Sequence, residues 1–153
     1  MDQKDHVALD ELDFKIIEYL IEDGRTPYTQ IADELGITES TVRKRVTRMR
    51  EQGYIKIRAI TDPVKLGYTT QAIVGVQLDT KDLPKSLVIL KGFDEITHIS
   101  VCAGVYDLVL EIRVKSNEDL FNFLTEKLRK TPGIAKSDTL LVLKTAKDRF
   151  LQY

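Results

Sequence analysis

Between Arg43 and Arg58 the chain carries Arg43, Lys44, Arg45, Arg48, Arg50, Lys56 and Arg58 against one acid, Glu51, which leaves six net positive charges in sixteen residues. Cations at this density neutralise phosphate oxygens and release the counterions condensed on a nucleic-acid backbone. Ser40, Thr41 and Thr47 are interleaved with them, and their hydroxyls can donate or accept at base edges. This chemistry is recognition rather than bond making. The sequence contains no GxxxxGK[ST] loop, no HExxH, no GxSxG and no GxGxxG after a strand, so the usual signatures of nucleotide, metal and acyl-transfer enzymes are missing. The paired acids Asp94-Glu95 and Glu118-Asp119 fall at helix ends or turns, where they favour the dipole or solvent. Cys102 is the only cysteine, which excludes an intrachain disulfide. Together with His6 and His98, the two histidines, it offers too few ligands for a typical zinc site.

The cationic cluster needs a rigid support, and the hydrophobic periodicity supplies one. Leu12, Ile16, Ile17, Leu20 and Ile21 recur at helical spacing behind Asp10, a good N-cap, and ahead of Gly24, which predicts a helix over 11–23. Thr26 followed by Pro27 fits a cap with proline at the first helical position, and Ile31, Ala32 and Leu35 give a short apolar face over 28–35. After Gly36, Thr38 caps a third helix over 39–52, with Val42, Val46 and Met49 inward and Gly53 as its stop. Residues 54–60 alternate and read as a short strand or an extended connector.

Two helices joined by a short turn, the second carrying the cations, is the pattern of a helix-turn-helix, whose second helix lies in the major groove. At about 100° per residue from buried Val42, Ser40, Lys44, Thr47 and Glu51 point most directly outward. Ser40, Thr41, Lys44 and Thr47 are therefore the candidate base readers, and Arg43, Arg45 and Arg48 the candidates for holding phosphate. The net charge of the whole chain is only -1, because the acids upstream of Arg43 offset the cluster.

Asp62-Pro63 and Gly67 mark a linker over 61–70. Beyond it strands and helices alternate: strand 71–79, helix 83–92, strand 97–103, strand 107–115, helix 118–131, strand 134–144. That β-α-β-β-α-β order predicts a ferredoxin-like sandwich with both helices on one face of an antiparallel sheet. Ala72, Val74, Val76 and Leu78, then Ile99, Val101 and Ala103, then Leu108, Leu110, Ile112 and Val114 form the expected helix-side layer. The opposite face mixes Ile73, Gly75, Gln77, His98, Ser100, Cys102, Val109, Glu111 and Arg113, a composition suited to packing against a second copy. His98 is expected to serve as an interface residue rather than a proton switch. The fold class is α+β: a helix-turn-helix, winged-helix-like domain over 1–60, and an effector-binding and oligomerisation domain over 71–153.

The string LDELDFKIIEYLIEDGRTPYTQIADELGITESTVRKRVTRMREQGYI resembles the head of the Lrp/AsnC feast/famine family of transcriptional regulators. DPVKLGY resembles that family's linker and AGVYDLVLEI its C-terminal sensing hairpin. The resemblance implies homodimers made through the C-terminal sheets, often assembled into tetramers or octamers, with an amino acid or related metabolite bound where dimers meet. It assigns Gly104, Tyr106 and Asp107 to the effector loop and associates Ser137, Asp138 and Thr139 with the same pocket. Val105 stands where the family usually places an acid suited to a ligand's ammonium group. Met49-Arg50 replaces the family's more frequent leucine-glutamate, a change that preserves the apolar position and adds positive charge. Read from the residues alone, Gly104 to Asp107 is equally well a hairpin turn and Ser137 to Thr139 a solvated strand.

The expected partner is double-stranded DNA bearing a pseudo-palindromic operator, with half-sites about one helical turn or a multiple of it apart. No cofactor is expected beyond a small effector. A metabolite-binding or architectural module whose head docks protein or RNA is the alternative. No run approaches the roughly 18 apolar residues of a membrane span, and the start, MDQKDHVALD, is too polar for a secretory signal. A cytoplasmic location, away from membranes, follows as the expectation.

Overall fold

The computed structural model describes residues 8–79 and 83–147. The chain divides into two compact units between Ala59 and Ile60.

The N-terminal unit contains α1 (Glu11–Glu22), α2 (Tyr28–Leu35) and α3 (Glu39–Glu51). A reciprocal capping box starts α1: Asp10 Oδ1 accepts from the Asp13 N–H at 2.9 Å, and Asp13 Oδ2 accepts from the Asp10 N–H at 3.1 Å. The apolar stripe of α1 is narrower than its sequence suggests, because Ile21 is exposed while Asp13 is completely buried. Helix α2 spans the expected 28–35, but Pro27 and not Thr26 occupies the cap position. Thr26 turns its hydroxyl back to the Asp23 carbonyl at 2.7 Å and provides no cap. Gly36 ends α2 at φ +66°, a left-handed conformation that costs glycine nothing. The chain then turns directly into Thr38, whose Oγ1 accepts from the Thr41 N–H at 3.3 Å and caps α3.

Ile16, Ile31, Ala32, Val42, Val46 and Met49 close the core of this unit. Each large apolar side chain fully buried there is worth about 1.5–3 kcal/mol. Of the two readings of residues 54–60, the connector holds, since no β-ladder forms there.

The C-terminal unit runs β1 (Thr70–Leu78), α4 (Leu83–Leu90), β2 (Ile96–Val101), β3 (Leu108–Val114), α5 (Asn117–Asn122) and β4 (Ile134–Val142). Its four strands lie in the order β2-β3-β1-β4, every neighbouring pair antiparallel. That is the ferredoxin-like arrangement expected from the alternation. The α5 helix does not continue as a uniform α-helix: Phe123–Leu128 follows as a π-helical segment. The inward residues of β1 and β3 are buried as anticipated, together with Leu90, Leu120, Phe123 and Leu128.

Strand β2 departs from the expected layer. A bulge between Ile96 and His98 brings Ile96 onto the helix side beside Ile99. Val101 is 61% exposed, and Ala103 lies beyond the strand and is exposed too. An edge strand that outruns the helices above it leaves its last residues in solvent.

Candidate functional site

The outward face of α3 is as its periodicity dictates. Ser40, Arg43, Lys44, Thr47, Arg50 and Glu51 are exposed, whereas Thr41, Arg45 and Arg48 are half-buried. At the N-terminus of the helix Thr38 Oγ1 lies 2.9 Å from Ser40 Oγ and 2.8 Å from Thr41 Oγ1, a cluster of three hydroxyls. Arg43 pairs with Glu39 one turn back, and its guanidinium stands 5.5 Å from the centre of the Tyr28 ring. Lys44 makes no ion pair among the described residues, which leaves its ammonium available outward.

Two of the three arginines expected to hold phosphate point elsewhere. Arg45 Nη1 donates to Asp10 Oδ1 and Oδ2 at 2.8 and 2.7 Å and to Asp13 Oδ1 at 2.9 Å. Arg48 Nη2 donates to Asp13 Oδ2. A carboxylate as thoroughly buried as Asp13 needs compensating positive charge, and α3 supplies it twice. The Arg45 guanidinium is held above its ordinary pKa, first by the hydrogen bond to Asp10 and then by that to Asp13. Reciprocally, the Arg45 hydrogen bond is the main cause that lowers the Asp10 carboxyl. Sequence reading missed this role for Asp10 and Asp13. The available signal was an acid set within the first apolar turn of α1.

Other cations have no such partner. Arg50, Lys56 and Arg58 form no ion pair among the described residues, and with Thr47 and Glu51 they line a groove of about 560 Å3 beside the last turn of α3.

In the C-terminal unit the β2–β3 hairpin folds back over β1. Gly104 adopts φ +152° and Val105 is exposed. The Val105 carbonyl accepts from Gln77 Nε2 at 2.8 Å. Asp107 is engaged at three points: its N–H donates to the Val76 carbonyl at 2.9 Å, its carbonyl accepts from the Cys102 N–H at 2.8 Å, and its Oδ2 accepts from the Leu78 N–H at 2.7 Å. Its carboxylate therefore secures the turn. Tyr106 lies flat over Gly75, and its hydroxyl donates to Asp138 Oδ2 at 3.3 Å.

Asp138 is opposite Gly75 on β4 and shares the sheet face not covered by helices. Its other neighbour is Lys136 Nζ at 3.0 Å, and that hydrogen bond raises the lysine's pKa. Ser137 and Thr139 pair with Val76 and Val74, so they project to the helix side, away from Tyr106. The structure thus unites Tyr106 and Asp138 and leaves Ser137 and Thr139 apart from them. His98 Nε2 lies 2.9 Å from Ser100 Oγ on the uncovered face.

Comparison with known proteins agrees with both halves. Residues 9–56 match the winged helix-turn-helix DNA-binding model, and residues 71–151 match the Lrp/AsnC ligand binding domain. The HTH-type transcriptional regulator FL11 of Pyrococcus horikoshii is 38% identical over 143 residues, covering 93% of this chain and 94% of its own. The structure of E. coli AsnC superposes with a TM-score of 0.89 at 30% identity, over 95% of this chain and 99% of that one. A Neisseria meningitidis transcriptional regulator, solved as an L-Met complex, shares the fold at 19% identity with a TM-score of 0.86, over 92% of this chain and 94% of that one. A head that presents one cationic helix, and a ferredoxin-like domain that matches the family's ligand-binding model, place this chain in the Lrp/AsnC family of DNA-binding transcriptional regulators.

Proposed function

We propose that the protein is a homodimeric, effector-responsive regulator that reads a pseudo-palindromic operator with α3. The observation that carries this reading is the outward face of that helix, where Ser40, Lys44 and Thr47 are exposed and the helix core beneath them is fully closed. Ser40, Thr41, Lys44 and Thr47 read bases, with Lys44 donating to guanine acceptors. Backbone phosphates are held by Arg43 and by Arg50, Lys56 and Arg58 around the adjoining groove, while Arg45 and Arg48 brace α3 against α1. Footprinting on the DNA upstream of the protein's own coding region tests the assignment: two protected half-sites about one helical turn or a multiple of it apart are expected. A single unbroken footprint insensitive to salt would contradict it. The salt response also separates DNA from a protein partner, because phosphate contacts weaken steeply as ions are added.

The uncovered sheet face supports self-association. Ile73 pairs with Leu140, which is 67% exposed, and such a surface on an isolated subunit favours a matching apolar partner. The effector is a small molecule received near Tyr106. With Val105 uncharged and the Asp107 carboxylate committed to Leu78, Asp138 is the carboxylate placed to meet a ligand's ammonium group. Calorimetric titration with a panel of amino acids identifies the ligand, and Asp138→Asn is expected to weaken whichever one binds.

A further inference from the structure

We propose that Asp10 and Asp13 act as an internal substitute for DNA phosphate, withholding Arg45 and Arg48 from the duplex and so limiting affinity for DNA of any sequence. The inference rests on the placement of α3 in the groove. Its starting point is the disposition of charge: of the seven cations between Arg43 and Arg58, these two are taken up by carboxylates from a different helix. Both arginines lie on the flank of α3 that also carries Thr41, within reach of a phosphate ridge running beside the groove.

The hold on them is partial. Arg45 is bound through Nη1 alone and Arg48 through Nη2 alone, so neither uses the two-nitrogen fork that makes arginine pairing strongest. Arg48 Nε is buried with no acceptor. The arginine side chains remain 24% and 31% exposed, and that of Asp10 53%. A phosphate group with two free oxygens therefore competes with Asp10 for Arg45 at the surface, while buried Asp13 keeps Arg48.

Each phosphate contact contributes about 0.9 to the slope of log affinity against log salt. An arginine withheld from the backbone lowers affinity for every sequence alike, operator and unrelated duplex together, and leaves the ratio between them to the base contacts. Asp10 thereby sets overall affinity and its salt dependence, acting through Arg45.

The test is a double-mutant cycle on the full-length protein with Asp10→Asn, Arg45→Ala and the double variant. Asparagine preserves the cap acceptor of α1. Binding is measured by fluorescence anisotropy on a duplex of unrelated sequence and on a footprinted operator, across a salt series. Asp10→Asn is expected to tighten binding to both duplexes roughly threefold at low salt and steepen both salt slopes by about one unit per head, with operator preference unchanged. The double variant should lose that gain and match Arg45→Ala alone. Two results would overturn the proposal: an Asp10→Asn slope equal to or shallower than the parent's, or an equal gain with and without Arg45, which would reflect only the lost negative charge. Lys44→Ala is run beside them. If it leaves operator preference unchanged, the placement of α3 is wrong; if it shifts preference while the cycle shows no coupling, only the phosphate-substitute role fails.

Discussion

The Tyr106 ring covers Gly75 so closely that a Cβ at that position would lie 2.7 Å from three of its carbon atoms. No side chain larger than hydrogen fits between strand and ring. Gly75→Ala should therefore lift Tyr106, break its contact with Asp138 and weaken effector binding, with operator binding by the effector-free protein retained. The chain has no tryptophan, so tyrosine fluorescence and near-ultraviolet circular dichroism report the displacement, and calorimetry reports the effector.

Lys44→Ala should relax discrimination at one operator position by about 1–3 kcal/mol. Competition binding against single-base operator variants locates the position. A uniform loss across all variants would mean that Lys44 holds phosphate and reads no base.

For the groove beside the end of α3, Arg58→Ala and Lys56→Ala should each lower affinity for operator and unrelated duplex alike, and reduce the salt slope by about one unit per head. Both residues lie outside the hydrophobic core, so thermal stability should be unchanged.

Acid should loosen the head. The Asp10 carboxyl is lowered from its ordinary value of 3.8 mainly by Arg45, and Glu34 is lowered from 4.5 by hydrogen bonds from Gln30 and then Tyr19. Groups whose folded pKa is depressed stabilise the folded state above their unfolded values and lose that contribution as pH falls through the folded ones. The melting temperature should therefore be steady near neutrality and decline below the ordinary carboxylate range. Asp10→Asn should remove part of that decline.

Leu140→Glu should oppose self-association, because it places charge on the uncovered sheet face, on the edge strand β4 opposite Ile73. Light scattering should show the variant nearer the 17.5 kDa monomer than the parent chain. Equal masses for the two would locate the contact elsewhere.

The three helices of the head and the strand order of the second unit were legible because each depends on local periodicity. Val42, Val46 and Met49 define the orientation of α3, and the reader face follows from it. The fate of Arg45 and Arg48 was not legible, since their carboxylate partners stand 32 to 35 residues upstream and no spacing rule links them. Asp13 resembled a helix-start acid and proved also to be a buried counter-charge. Gly75 carried a signal that could have been used: glycine inside a strand marks close approach by another group. For Ser137 and Thr139, strand alternation alone places them on the face opposite Asp138.

The π-helical stretch alters how residues line up along the second helix of the C-terminal unit. Phe123 and Leu128 are five positions apart, and both are buried, 2% and 0% exposed. An α-helix would turn them about 140° from one another; the wider coil brings both inward. A count at one constant period still sets Phe123 and Leu124 on the side of buried Leu120, and misjudges only the angle between Phe123 and Leu128. With a single residue removed from that coil the two would stand four positions apart, about 40° from one another on an ordinary α-helix, so this is a place where the chain accommodates one residue more than the packing of Phe123 and Leu128 requires.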